Sequence, residues 1–146
     1  MKILNRRGRY DYIIDETFEA GIVLTGAEVK MVRSGRMDLS ESHVMIRPDK
    51  VLLVNAYIPV YQYGKQKGYD PRRSRTLLLH RQQILTLLGK QMERHRVIIP
   101  VSCYERNNLL KMELGLGRGK KTYEKREELR RKAIARDIEQ ELRGKS

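Results

Sequence analysis

Cysteine is almost absent from this chain. Cys103 is the only one among 146 residues, which rules out a disulfide framework within the chain and points to a reducing, cytoplasmic setting. No apolar run approaches the roughly 18 residues that a membrane-spanning helix needs. The N-terminal stretch Met1-Lys2-Ile3-Leu4-Asn5-Arg6-Arg7-Gly8-Arg9 lacks the apolar segment of a secretory signal. Aromatic residues other than tyrosine are nearly missing, with no Trp and the single Phe18 beside 8 Tyr. Acidic residues are also outnumbered: 18 Asp/Glu face 31 Lys/Arg, a formal net charge of +13.

The enzyme chemistries are missing as well. His43, His80 and His95 are scattered, with no i,i+4 pair and no cysteines at metal-ligand spacing. Cys103 lies in a β-prone run and reads as a small core residue rather than a nucleophile. Gly115-Leu116-Gly117-Arg118-Gly119-Lys120 resembles a phosphate loop, but Lys121 stands where that motif requires Ser or Thr. These glycines read as a flexible exit from a strand. No acidic pair marks a two-metal or glycosidase site. The sequence therefore predicts a binding protein without a cofactor or metal.

The basic excess is what remains to be explained. Self-repulsion at this net charge is relieved by an anionic partner, nucleic acid first and a membrane surface second. A membrane would call for a basic amphipathic helix with large apolar anchors. The charge forms three clusters: Lys2, Arg6, Arg7 and Arg9; Lys65, Lys67, Arg72, Arg73 and Arg75; and the tail from Arg118, where 11 Lys/Arg meet 6 Asp/Glu. Such groups neutralise phosphates and give salt-dependent affinity. Tyr10, Tyr12, Tyr61, Tyr63 and Tyr69 lie in or beside the first two clusters, where exposed rings could stack on unpaired bases. Tyr10 and Tyr12 read as sharing one strand face, with one of the two inside.

Hydrophobic periodicity predicts a mainly β fold with inserted helices. Tyr10–Ile14 and Phe18–Leu24 read as strands. Thr25-Gly26-Ala27-Glu28 reads as a capping box opening a helix that ends near Arg33 at Ser34-Gly35. Val44–Arg47 and Val51–Val54 flank the turn residues Pro48-Asp49-Lys50, and Tyr57–Tyr61 reads as a further short strand. Leu77-Leu78-Leu79 leads into a helix with Ile84, Leu87, Leu88 and Met92 on one face. Val97–Val101 and Leu109–Leu116 form the last hairpin, turning at Asn107-Asn108. About six strands at this spacing suggest an OB-type antiparallel barrel over residues 1–117, with a split sandwich left open. Residues 118–146 form a basic tail, helical or disordered, with Leu129, Ile134, Ile138 and Leu142 as a thin apolar stripe.

Several motifs occur in a telling order: Asn5-Arg6-Arg7, Phe18-Glu19-Ala20-Gly21-Ile22, Gly26-Ala27-Glu28-Val29-Lys30, Asp70-Pro71 with Arg75-Thr76-Leu77-Leu78-Leu79-His80, and Gly119-Lys120-Lys121 with Lys125-Arg126. The chain resembles the SsrA-binding protein (small protein B) family from Asn5 to the tail. That resemblance implies an OB-type barrel that binds the tRNA-like domain of transfer-messenger RNA in bacterial trans-translation. It also implies a tail that enters the empty message channel near the small-subunit decoding region of a stalled ribosome. Asn5, Glu19 and Leu78 fall on positions tied to RNA binding in that family. Arg6, Tyr12, Lys30 and Arg75, in or beside the same motifs, are added as RNA contacts. Gly119, Lys120, Lys121, Tyr123, Glu124, Lys125 and Arg126 fall on the tail motif that engages the ribosome. A cytoplasmic, monomeric RNA-binding factor that is not an enzyme is the expectation. A ribosomal or general single-strand RNA-binding protein is the alternative.

Overall fold

The computed structural model describes residues 1–64, 67–93 and 96–144, so Lys65, Arg94 and His95 lie outside the described residues. The elements run β1 (Lys2–Leu4), α1 (Arg6–Asp11), β2 (Tyr12–Ile22), α2 (Gly26–Arg33), β3 (His43–Ile46), β4 (Val51–Val54), β5 (Arg75–Leu78), α3 (Arg81–Gln91), β6 (Val97–Arg106), β7 (Leu109–Gly119) and α4 (Thr122–Gly144). All described strands belong to one antiparallel sheet in the order β1-β6-β7-β2-β5-β4-β3. No ladder joins β1 to β3 among the described residues. β3 nevertheless comes close to β6, so the sheet rolls into a barrel-like form. The mainly β, OB-type class with inserted helices is therefore what the chain adopts, with seven strands rather than about six.

Local sequence explains much of this. Leu110, Met112, Leu114 and Leu116 alternate inward along β7, as the period of two requires. The β6–β7 hairpin turns at Asn107 and Asn108, which adopt φ of 52° and 62°, the pair of left-handed angles a tight hairpin demands. Thr25 Oγ1 accepts from the Glu28 amide while the Glu28 carboxylate accepts from the Thr25 amide, completing the capping box of α2. At the far end, Gly35 at φ 82° carries the chain out of α2. Its amide reaches Val32 O and the Arg36 amide reaches Met31 O, which is a Schellman closure. Leu39, Leu53, Ile58, Leu77, Leu87 and Cys103 fill the interior with the inner residues of β7. Burial pushes the Cys103 thiol up to about 12, so it is an inert core residue.

Several expectations need correction. Tyr10 and Asp11 belong to α1, and the strand starts at Tyr12. Asn5 makes that short helix: its Oδ1 accepts from the Gly8 amide at 2.9 Å, and its Nδ2 donates to Pro100 O at 2.7 Å. Tyr10 and Tyr12 therefore share no strand face, and both are half-buried. The Tyr57–Tyr61 segment carries only a single bridge, Asp38 to Tyr57. Its expected strand is interrupted by Pro59, which has no amide to give a ladder. Leu77-Leu78-Leu79 does lead into α3, but Leu77 and Leu78 also end a strand, β5, that the sequence had not shown. Met92 is 88% exposed, because α3 ends at Gln91 before it can turn inward. Gly115 and Gly117 are not a flexible exit. A Cβ on Gly117 would lie 1.9 Å from Ile13 O, and one on Gly115 would lie 2.7 Å from Val101 Cγ2. These glycines let β7 pass tightly against β2, where the register shifts between Ile14 and Glu16.

Candidate nucleic-acid interface

β2, β5 and β7 bring Glu19 and Leu78 onto one outward-facing cleft of about 470 Å³, together with Gly21, Lys111, His80 and Gln83. The β2–β5 register places Gly21 opposite Leu78, and the bare Gly21 backbone leaves the Leu78 side chain 57% exposed. An exposed leucine beside a carboxylate is an arrangement for a partner with both an apolar face and hydrogen-bond donors.

Glu19 stands directly opposite Glu113 across the β2–β7 ladder, a pairing that disfavours two carboxylates. β6 supplies the compensation. The Tyr104 hydroxyl donates to Glu19 Oε2, and Arg106 Nη1 donates to the same oxygen at 3.0 Å. Tyr104, then Arg106, hold the Glu19 carboxyl below its usual range. Burial and the Glu19 carboxylate together push the Tyr104 phenol up to about 12. Both bonds go to Oε2, so Oε1 has no hydrogen-bond partner among the described residues and is left as a free acceptor on this exposed residue. Tyr104, Arg106 and Lys111 were missed in the sequence. The Asn107-Asn108 turn fixes their register, with Tyr104 opposite Lys111, and could have found them.

Other expected contacts lie elsewhere. Asn5, at 3% exposure, spends its amide on the α1 cap and on Pro100. It lines a second cleft with Tyr12, beside Ser40 and His43. Arg6 is exposed on α1. Lys30 is exposed on α2, with Nζ 5.1 Å from the centre of the Tyr61 ring.

Arg75 requires a correction: its side chain is fully buried and cannot reach RNA. Nε and Nη2 donate to Glu28 Oε2 at 2.9 and 2.7 Å, Nη1 to Ala56 O at 2.6 Å, and Nη2 also reaches Pro71 O and the Tyr69 hydroxyl at 3.0 Å. Arg73 pairs with the other Glu28 oxygen, and Tyr69 donates to Glu28 Oε2 at 3.0 Å. Burial works to raise the Glu28 pKa. Arg73, the Thr25 amide and Arg75 outweigh it and hold the carboxyl at about 2.

The tail motif divides in two. Gly119 ends β7, opposite Tyr12. Lys120 is drawn onto the body: its amide donates to Asp11 O at 2.8 Å, and its Nζ donates to Arg9 O at 3.0 Å and pairs with Glu128. Lys125 pairs with Asp11 at 3.1 Å, and Glu124 pairs with Arg118 at 3.1 Å. Lys121, Tyr123 and Arg126 face solvent, Tyr123 with 64% of its surface exposed. Beyond them α4 extends to Gly144 with no buried residue, and Leu129, Ile134, Ile138 and Leu142 are all exposed.

A rolled antiparallel sheet that spends its carboxylates on holding cations, and keeps an acceptor and a leucine outward among basic groups, defines a small nucleic-acid-binding protein. The comparisons with known proteins narrow that class. The family described as SmpB protein matches residues 2–144. The SsrA-binding protein of Shouchella clausii (strain KSM-K16) is 45% identical over 139 residues, covering 95% of this chain and 89% of that protein. The SsrA-binding protein of Bacillus subtilis (strain 168) is 42% identical over 139 residues, covering 95% and 89%. A solved structure described as "tmRNA-SmpB: a journey to the center of the bacterial ribosome" matches with a TM-score of 0.68 and 42% identity, covering 83% of this chain and 85% of that one. The chain belongs to the SmpB family.

Proposed function

We propose that this chain binds the tRNA-like domain of transfer-messenger RNA and delivers it to stalled ribosomes, with α4 directed toward the small-subunit decoding region and message channel. The observation that carries this reading is the near-full-length match to SsrA-binding proteins. The likeness to a structure described by both tmRNA and the ribosome supports it.

In this reading the two tasks belong to two parts of the chain. The sheet, through Gly119, selects the RNA. Glu19 accepts from a base or ribose donor and Leu78 offers an apolar seat, while Arg6, Tyr12 and Lys30 contact backbone or bases elsewhere on the body. Asn5 acts indirectly by building α1. In the tail, Lys121, Tyr123 and Arg126 contact ribosomal RNA, while Lys120, Glu124 and Lys125 set the direction in which α4 leaves the sheet. The chain works in the cytoplasm as a monomeric binding factor, with no turnover of its own.

A competition assay tests the reading. The tRNA-like domain should displace a labelled copy of itself at least ten-fold better than an RNA hairpin of equal charge. Glu19→Gln should remove most of that preference. Lys121→Ala with Arg126→Ala should leave it intact and abolish peptide tagging on stalled ribosomes. Equal competition by the charge-matched hairpin would mean a general RNA binder.

A further inference from the structure

Most cations around α2 already have partners. Arg33 pairs with Glu105 at 3.0 Å, Arg72 with Glu41 at 3.5 Å, and Arg73 with Glu28. Lys30 and Arg36 make no ion pair among the described residues, although both are exposed. They line the same cleft of about 240 Å³, between α2 and the Val60–Tyr63 segment, and no acidic residue lines it among the described residues. Two unpaired cations converging on one small cleft carry a local repulsion that an anion would relieve.

The aromatic content of the cleft is equally specific. Tyr61 is half-buried against the core, with Lys30 Nζ over its ring. Tyr63 meets Tyr61 edge-on, with ring centres 5.6 Å apart, and remains 79% exposed. A turn in which the Gly64 amide bonds Tyr61 O at 3.0 Å swings Tyr63 outward. The α2 wall is held by backbone hydrogen bonds before any ligand arrives. The Schellman closure of α2 sets the backbone of Arg36. Next to the other wall, the Ile58 amide donates to Pro71 O at 3.0 Å. A backbone already held on the α2 side reduces the ordering cost of binding.

We infer that this cleft is a further RNA contact that holds one unpaired nucleotide, its base stacked on the outer face of Tyr63 and its phosphate drawn by Lys30 and Arg36. The inference rests on the RNA-binding reading above but concerns a site apart from the Glu19–Leu78 cleft. A π-face with nearby cations takes any base, so the contact adds affinity and fixes orientation rather than reading sequence.

The test uses the full-length protein and two probes: a short single-stranded RNA carrying 2-aminopurine, and the intact tRNA-like domain. Tyr63 is so exposed that Tyr63→Ala leaves the fold intact, which circular dichroism checks. The variant should bind the oligomer about five-fold or more weakly and lose the quenching of 2-aminopurine. Tyr63→Phe should retain both. Arg36→Ala should lower the slope of log affinity against log salt by about one. Glu19→Gln should weaken the tRNA-like domain and leave the oligomer unchanged. Wild-type quenching in Tyr63→Ala, or equal loss in Tyr63→Phe and Tyr63→Ala, overturns the stacking site. Undiminished binding of the tRNA-like domain by Glu19→Gln would instead overturn the wider reading.

Discussion

Glu19 shows how single residues are tuned on this sheet. With Glu113 opposite, its carboxylate stays ionised and oriented because Tyr104 and Arg106 both hold Oε2. Tyr104 is the larger influence on the lowered Glu19 pKa. Tyr104→Phe keeps the ring and removes the hydroxyl, so the Glu19 pKa should rise toward its ordinary value. RNA affinity that needs the carboxylate should then fail at a higher pH on acidification than in the wild type. Lys111, Arg106, Glu113 and His80 face the same region, so the Glu19 side-chain carbon resonance, followed between about pH 3 and 6, is the measurement that assigns the shift. An unchanged titration would mean that Tyr104 only packs. At this scale the sequence was partly legible. Glu19 and Leu78 stood out only through the order of family motifs, since a lone strand carboxylate has no signature of its own. Arg75 was misplaced because it read as the last cation of the basic 65–75 cluster, with Leu77-Leu78-Leu79 as the lead-in to a helix. Without β5, the alternation of Arg75 and Leu77 inward with Thr76 and Leu78 outward could not be seen.

Among the elements, α2, β5 and the segment from Tyr69 to Arg73 meet on one buried carboxylate. Glu28 caps its own helix and also neutralises Arg75, which is wholly enclosed. Its folded pKa of about 2 lies below the ordinary glutamate value of 4.5. A depressed carboxyl contributes stability that is fully present above the unfolded pKa and lost as pH falls through the folded one. The window of loss therefore runs from about pH 4.5 down to about 2, and the contribution is on the order of 3 kcal/mol. Glu28→Gln should abolish that acid-dependent arm in urea unfolding followed across this range. It should also cost roughly 3–5 kcal/mol near neutrality, because Arg75 is left buried without its counter-charge. If the variant retained the wild-type acid dependence, another carboxylate would have to be its source. The elements legible in sequence are those closed by local chemistry: the Thr25–Glu28 box, the Gly35 stop and the Asn107-Asn108 hairpin. β1 and α1 were not legible. Both depend on β6, which is distant in sequence: β1 by pairing Ile3 with Cys103, and α1 by the reach of Asn5 to Pro100. No local pattern encodes such a contact. The strand expected at Tyr57–Tyr61 failed for a related reason, since Ala56 and Ile58 enter the core without a ladder while Val60 stays exposed.

For the molecule as a whole, the excess of basic charge sets a division between a body that folds and a helix that reaches outward. α4 spans 23 residues and buries none of them, so it draws no stability from the hydrophobic core. Its recorded ties to the rest of the chain are polar: Lys125 to Asp11, Glu124 to Arg118 and Lys121, and Glu128 to Lys120, whose side chain is only 12% exposed. Partly exposed ion pairs contribute about 0–1 kcal/mol each and weaken with salt. Removing the chain after Lys121 should therefore leave one cooperative urea transition, with stability lowered by no more than about 2 kcal/mol. Affinity for the tRNA-like domain, and its salt slope, should stay near wild type, because the Glu19–Leu78 cleft is lined by the sheet and the start of α3 and by no residue of α4. Tagging on stalled ribosomes should be lost. Asp11→Asn is the subtler variant. It keeps α4 and frees Lys125, so any requirement for a set direction of the helix should appear as reduced tagging with unchanged RNA affinity. Full tagging by this variant would show that the ribosome, and not the contact with α1, sets where α4 points.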